Sequence, residues 1–148
     1  MLLSTDLESS EILIEPSYVK VYDVAVGRAG ELITKQGYLL RITNKTPQVA
    51  AYEISFFSCQ EMYKDSFWGY EDIPNADWFI YKSTEIFVLP NNEGYLKNHY
   101  IKIPKDNKYY GKRWHAVIRV RQKTRQTGIF NVEWLLPLLI ETEQRKAR

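Results

Sequence analysis

The chain has 148 residues, of which 45% are hydrophobic and 26% charged, and its net charge is +2. These values are ordinary for one soluble globular domain, and they exclude a wholly disordered chain. No stretch approaches the ~18 consecutive apolar residues of a membrane-spanning helix. The single cysteine, Cys59, excludes an intramolecular disulfide and a multi-cysteine metal site. The unusual feature of the composition is its 14% of aromatic residues.

Apolar residues recur at every second position through most of the chain, which is typical of strands with one buried face. Ile12 and Ile14 precede Pro16, and the following run at 19–26 changes phase near Tyr22. The phase change predicts a β-bulge, or a first strand that switches from one sheet to another. Further strands are predicted around the next alternating residues, which are Tyr38, Leu40, Ile42, Tyr52, Ile54, Phe56, Ile86, Val88, Ile101 and Ile103.

The last two predicted strands have the clearest alternation. In the strand at 130–140 the apolar residues occupy even positions, among them Phe130 and Trp134. Pro137 cannot donate a ladder hydrogen bond, so this strand lies at a sheet edge or breaks there. The preceding strand has a core face at even positions, formed by Trp114, Ala116, Ile118 and Val120.

Turn residues separate the strands, and no window shows a sustained helical stripe. The turns are predicted at 27–30, 44–47, 90–94, 104–107 and Gly128. Seven or eight strands without a helical layer predict an all-β fold, an antiparallel β-sandwich or barrel.

One domain is predicted at 12–141, between an N-terminal extension at 1–11 and a polar tail at 142–148. Residues 58–83, called the excursion below, interrupt the strand pattern with a long aromatic and acidic insertion. A loop of this length is either functional or packed onto the domain. Its aromatic residues are Tyr63, Phe67, Trp68, Tyr70, Trp78, Phe79 and Tyr81.

Two interpretations of these aromatic residues are open. Exposed, they form a stacking platform for sugars or an anchor for a protein partner, with Trp68, Tyr70 and Trp78 as the candidate ligand-binding residues. Buried, they cap one end of the sandwich, and this second interpretation is favoured.

A ladder of basic residues lies on the outer face of one strand and forms a second candidate site. This basic ladder consists of Arg119, Arg121, Lys123 and Arg125. Its geometry suits an extended anionic ligand such as a sulfated glycan, although a solvated outer face is the favoured interpretation. Nucleic acid is disfavoured as a partner because no aromatic residues interleave with the basic ones.

No combination of residues favours catalysis. A Cys/His pair could come only from Cys59 with His99 or His115, and no local signature of a catalytic cysteine surrounds Cys59, so an inert, partly buried thiol is the favoured interpretation. His115 alternates with Trp114 and Ala116 and is therefore predicted to lie at the surface. No glycine-rich phosphate-binding motif occurs, so no cofactor is predicted and the protein is not expected to be an enzyme.

Four oxygen-donor side chains within seven residues raise the question of a calcium site. Their spacing matches no calcium-binding loop, and Pro74 interrupts them. A solvated turn is the favoured interpretation, and no metal site is predicted. The four residues are Glu71, Asp72, Asn75 and Asp77.

Several segments resemble the strands of bacterial immunoglobulin-like domains of envelope and cell-surface proteins. The run at 39–46, followed by Tyr52-Glu53-Ile54, resembles their second and third strands. The runs at 101–104, 109–114 and 118–120 resemble their late strands, in which a tyrosine turns the corner into the next strand. The resemblance extends to the N-terminal domain of PapD-type pilus chaperones.

The resemblance implies an interaction or spacer module that binds other proteins, or associates with itself, through an edge strand. Pilus chaperones hold a subunit's terminal carboxylate with a basic residue in the first strand and have a second domain. Here Tyr18 falls at about the place of that basic residue, and no second domain is expected, so pilus-type chaperone activity is disfavoured. A glycan- or anionic-polymer-binding module and a chaperone-like assembly protein are the alternatives.

The beginning of the chain does not read as a signal peptide, because Met1-Leu2-Leu3 is followed at once by polar and acidic residues. We therefore expect a mature or excised domain of a periplasmic or cell-surface protein, with an intracellular location left open. Any contact with a membrane is expected to come from regions outside this chain.

Overall fold

The alternating runs of β-branched and aromatic residues form strands in the computed structural model, which describes residues 11–123 and 132–146. Within these residues the regular elements are strands and two short 3-10 helices, at Ala76–Trp78 and Asn107–Tyr109. The strands are β1 (Ile12–Glu15), β2 (Val19–Val24), β3 (Ala29–Glu31), β4 (Leu40–Asn44), β5 (Ala50–Ser58), β6 (Glu71–Asp72), β7 (Ser83–Val88), β8 (Asn92–Leu96), β9 (Tyr100–Lys102), β10 (Arg113–Lys123) and β11 (Glu133–Thr142).

The strands form two principal sheets. The large sheet has the order β2-β11-β10-β5-β7, with β6 beside β10, and the small sheet has the order β1-β4-β8. β3 and β9 form a separate pair. The phase change near Tyr22 is a β-bulge in β2, where the register against β11 shifts between Val21 and Val24. The chain also switches sheets, but before that point: it leaves the small sheet at Glu15 and joins the large sheet at Val19.

The predicted core faces are confirmed. The predicted core residues of β10, which are Trp114, Ala116, Ile118 and Val120, are buried, and so are Tyr52, Ile54 and Phe56 of β5. Tyr38 and Trp134 are half-buried, and Phe130 lies outside the described residues. The most completely buried side chains include Tyr52, Phe56, Leu40, Ile42, Ile54, Ile101, Ile103, Ile118, Leu138 and Ile140.

The predicted turn at 90–94 is wrong over most of its length, because β8 begins at Asn92. Gly94 lies inside this strand, where it pairs with Ile42. A Cβ at Gly94 would lie 2.8 Å from Cγ2 of Val88, so the glycine allows β8 to approach β7 closely. A glycine inside a strand often marks such an approach, and here sequence reasoning assigned it to a turn.

Asn44 at the end of β4 is fully buried and joins three segments. Its Nδ2 donates to the carbonyls of Gln48 (2.7 Å) and Val88 (3.1 Å), and its Oδ1 accepts from the Thr46 backbone N–H at 3.0 Å.

We expect Asn44→Ala to lower the free energy of unfolding by about 2–3 kcal/mol, because it leaves buried backbone groups without partners. Urea unfolding measures the change. Asn92→Ala is the matched control, since the Asn92 amide makes one exposed bond to Pro90. Equal losses in the two variants would contradict this role for Asn44.

Candidate functional site

The edge of β11 is open over its first half. β11 pairs with β10 along its whole length, but β2 pairs with it only from Leu138 onward. Among the described residues no strand pairs with the other side of Glu133–Pro137. This stretch therefore offers unpaired backbone groups to a further strand.

The ladder geometry shows which backbone groups face the open side. The Gln122 N–H donates to the Val132 carbonyl at 2.9 Å, and pairing alternates along an antiparallel ladder. The odd-numbered residues of β11 therefore direct their N–H and C=O groups away from β10. Pro137 is one of them, so its missing N–H removes no bond to β10. The prediction of an edge position at Pro137 is confirmed.

A cavity of about 280 Å³ lies on the outer face of the large sheet, next to the open edge. β10 and β11 contribute His115 and four apolar residues to its lining, and the excursion contributes two charged residues, which form a wall of the cavity. The cavity is therefore closed partly by a segment that is not part of the sheet. Its lining residues are Lys64, Asp65, His115, Val117, Leu135, Leu136 and Pro137.

His115 is buried at 5% exposure, so the prediction of a surface histidine is wrong. The excursion covers it. The Phe67 N–H donates to Nδ1 of His115 at 2.9 Å, and the Ile73 N–H donates to the His115 carbonyl at 3.0 Å. The Nε2 atom is buried without a partner among the described residues. Burial lowers the pKa of His115.

The start of the excursion is held by Asp72 of β6. The Asp72 carboxylate accepts from the backbone N–H groups of Cys59 (2.7 Å) and Gln60 (3.0 Å). The Cys59 thiol is buried and lies 3.4 Å from the His115 carbonyl. Burial raises its pKa to about 11, which keeps it a protonated, unreactive thiol at neutral pH.

Three of the four oxygen-donor residues of the excursion have separate roles. Asp72 binds backbone amides, Asn75 caps the 3-10 helix at Ala76–Trp78, and Asp77 forms an ion pair with Lys82. Within residues 11–123 and 132–146 no group of three or more His, Cys, Asp or Glu side chains is placed to hold a metal ion. The same residues contain no helix long and apolar enough to cross a membrane.

The candidate aromatic residues fall into two groups. Trp78 packs edge-on against Tyr109 (5.0 Å between ring centroids) and beside Trp114 (5.5 Å). Trp68 lies in a turn and is 93% exposed, and Tyr63 is 97% exposed. Tyr70 is half-buried, with its hydroxyl 3.3 Å from the Glu141 carboxylate. Part of the excursion therefore caps the core, and another part presents aromatic rings to solvent.

Each residue of the basic ladder that the structure describes forms an ion pair with a carboxylate. Arg119 pairs with Glu53 (3.6 Å) and Glu133 (3.4 Å), and Arg121 pairs with Glu53 at 2.9 Å. Lys123 pairs with Glu85 of β7. These carboxylates offset the positive charge of the face. Arg125 lies outside the described residues, and anion binding by the ladder stays a prediction.

Sequence reasoning missed the open-edge residues Leu135 and Pro137 as lining of a cavity, and it missed His115 as the contact to the excursion. The proline was the available signal for the edge. No local signal placed the excursion over His115, because Phe67 is 48 residues away in the sequence.

No family model matches the sequence, and no curated protein matches it at a significant level. Solved structures match over most of the chain. A PapD-like domain of human CEP192 superposes with a TM-score of 0.60 at 7% identity, over 92% of this chain and 87% of that one. The fold is a PapD-like, immunoglobulin-like β-sandwich.

Two bacterial structures extend the comparison of the PapD-like fold. The E. coli chaperone DraB has a TM-score of 0.54 at 9% identity, over 93% of this chain and 58% of that one. A Salmonella enterica structure of SafA pilin in complex with the SafB chaperone has a TM-score of 0.54 at 8% identity, over 92% of this chain and 56% of that one. This chain thus spans somewhat more than half the length of these two bacterial chains. At such identities the likeness concerns the fold.

Proposed function

We propose that the chain is a non-catalytic protein-binding domain, and that it binds an extended segment of a partner along the open edge of β11. The observation that carries the proposal is the half-paired state of β11, whose first half has a neighbour on one side only among the described residues. Two structural neighbours are chaperones, one of them solved with a pilin, which supports a protein partner. A periplasmic or cell-surface location is part of the proposal.

The open edge has the chemistry that strand addition needs. Main-chain bonds provide affinity when a peptide extends a sheet, and neighbouring pockets select its side chains. Natural edges are usually protected by charges, prolines or bulges. Here Glu133 is paired with Arg119, and Pro137 protects only the end of the open stretch, while Leu135 between them keeps its outward N–H.

The test replaces Leu135, whose N–H points away from β10. Leu135→Pro removes this donor and leaves the β10 ladder intact, as Pro137 does in the native chain. Leu135→Ala removes most of the side chain but keeps the donor, so it is the matched control. We expect Leu135→Pro to weaken partner binding about tenfold or more relative to Leu135→Ala, as the loss of a main-chain bond and a clash with the added strand require.

The probe is a phage-displayed library of twelve-residue peptides selected on the native domain, with affinities measured by titration calorimetry. Sedimentation of the domain alone tests a second copy as the occupant of the edge. Peptides or copies that bind both variants equally well would place the interface elsewhere. A domain that selects no peptide and stays monomeric would overturn the proposal.

A further inference from the structure

His115 makes the central contact between β10 and the excursion. Its Nδ1 accepts from the Phe67 N–H, and its carbonyl accepts from the Ile73 N–H. Phe67 immediately precedes the exposed Trp68 in the sequence, and Lys64 and Asp65 of the same segment form a wall of the cavity. The imidazole ring therefore binds this segment at Phe67, whereas Lys64 is bound separately, through its N–H to the Cys59 carbonyl at 2.9 Å.

The hydrogen bond from Phe67 defines the state of the ring. An imidazole nitrogen that accepts a hydrogen bond carries no proton, so the neutral His115 has its hydrogen on Nε2. That Nε2–H is buried and has no acceptor among the described residues, which is uncommon for a buried donor. A second proton can be added only at Nδ1. There it would face the Phe67 N–H, and two donors would oppose each other at 2.9 Å.

The surroundings of the ring oppose its charged form. Burial is the largest effect on His115 and lowers its pKa, Lys64 acts in the same direction, and Asp72 acts against them. From β11, the residue opposite His115 is the uncharged Leu139. The charged and titratable groups next to His115 in the cavity lining, in the strand register or among its contacts are Cys59, Lys64, Asp65, Glu71, Asp72, Arg113 and Glu141.

We propose that His115 is a pH-sensitive latch: neutral His115 holds the excursion on the outer face of the sheet, and protonation at Nδ1 releases the segment around Phe67. Release frees the chain that follows Asp65, whereas Lys64 keeps its bond to the Cys59 carbonyl, so the cavity beside the open edge widens on the Phe67 side at acid pH. The effect on a bound partner rests on the proposed function, whereas the latch itself does not.

Hydrogen exchange of the Phe67 amide tests the latch. Its protection factor, corrected for the intrinsic pH dependence of exchange, is expected to be constant above pH ~7. Below pH ~6.5, where the released histidine takes up a proton, protection falls by up to about tenfold per pH unit. The Ile118 amide, in the middle of β10, reports global unfolding and is the internal control. We expect Phe67 to lose protection at higher pH than Ile118.

His115→Asn provides the matched variant, because Oδ1 of asparagine can accept from the Phe67 N–H at the place of Nδ1 and does not titrate. In this variant the Phe67 protection factor is expected to be independent of pH between 7.5 and 5, beyond any change shared with Ile118. A variant that keeps the wild-type pH dependence would overturn the latch.

Measurements on the wild-type protein test the latch even if His115→Asn does not fold. Phe67 protection that stays constant to pH 5 while the His115 ring takes up a proton, or that falls only together with Ile118, would overturn the latch. Partner binding is not used in these measurements. Equal peptide binding by Leu135→Pro and Leu135→Ala would therefore overturn the proposed function and leave the latch standing.

Discussion

We expect Phe56→Ala to lower the free energy of unfolding by about 4 kcal/mol, because truncating a buried phenylalanine loses its transfer free energy and leaves a cavity. Phe56 is 2% exposed and stacks on Phe79 with 4.8 Å between the ring centroids. The His99 ring lies 5.9 Å away on the same side. Phe79 belongs to the excursion, so the cavity would also loosen the contact of the excursion with the core. Urea unfolding monitored by circular dichroism measures the loss.

Phe57→Ala is the matched control, since it removes the same ring one residue later on the opposite face of β5. Phe57 is half-buried beneath the Arg119 guanidinium, 4.7 Å from the ring centroid. The expected loss is about 1 kcal/mol, from a partly exposed cation–π contact. Comparable losses in the two variants would mean that the two faces of β5 are not assigned correctly.

The face of each long strand could be predicted because it depends on local information. Side chains alternate along any strand, so Tyr52, Ile54 and Phe56 share a face in every possible arrangement of the sheet. The bulge in β2 was predictable for the same reason, because the change of phase near Tyr22 is visible in the chain itself. The short strands β3 and β6 carry too few residues for a pattern.

The candidate site could not be predicted to the same extent, because it depends on contacts between distant segments. His115 has the alternation of a surface residue and is buried only because the excursion folds over it. The basic ladder was recognised from its spacing, but its partners Glu53 and Glu85 lie on β5 and β7. The positions of these glutamates depend on the order and register of the strands. Neither can be predicted from the amino-acid composition or from the two-residue alternation of apolar side chains.

The excursion shows most clearly why the environment of a side chain could not be predicted from the sequence. Its aromatic composition allowed both an exposed platform and a packed cap, and the structure places exposed rings and packed rings within one segment. The difference between Trp68 and Trp78 is not local. Trp78 is the last residue of a 3-10 helix and packs beside Trp114 of β10, whereas Trp68 precedes Gly69, which has a positive φ of 84°.

The second large effect is expected at Trp78. We expect Trp78→Ala to lower the free energy of unfolding by about 2–3 kcal/mol, because the half-buried indole packs between Tyr109 and Trp114 and leaves a gap in the core when removed. Urea unfolding measures the change. An unchanged slope of the unfolding free energy against urea concentration indicates that the native state of the variant is intact.

Trp68→Ala is the matched control, because it removes the same side chain from an exposed turn of the same excursion. Its unfolding free energy should stay within about 0.5 kcal/mol of the wild type. If Trp68→Ala proved as destabilising as Trp78→Ala, the division of the excursion into a packed and an exposed part would be wrong.

The stable Trp68→Ala variant also tests the carbohydrate-binding alternative on a glycan array. Sugar binding that is insensitive to salt and is lost in Trp68→Ala would identify the exposed aromatic residues as the site. Binding that becomes weaker with added salt and is lost in Arg121→Glu would identify the basic ladder instead.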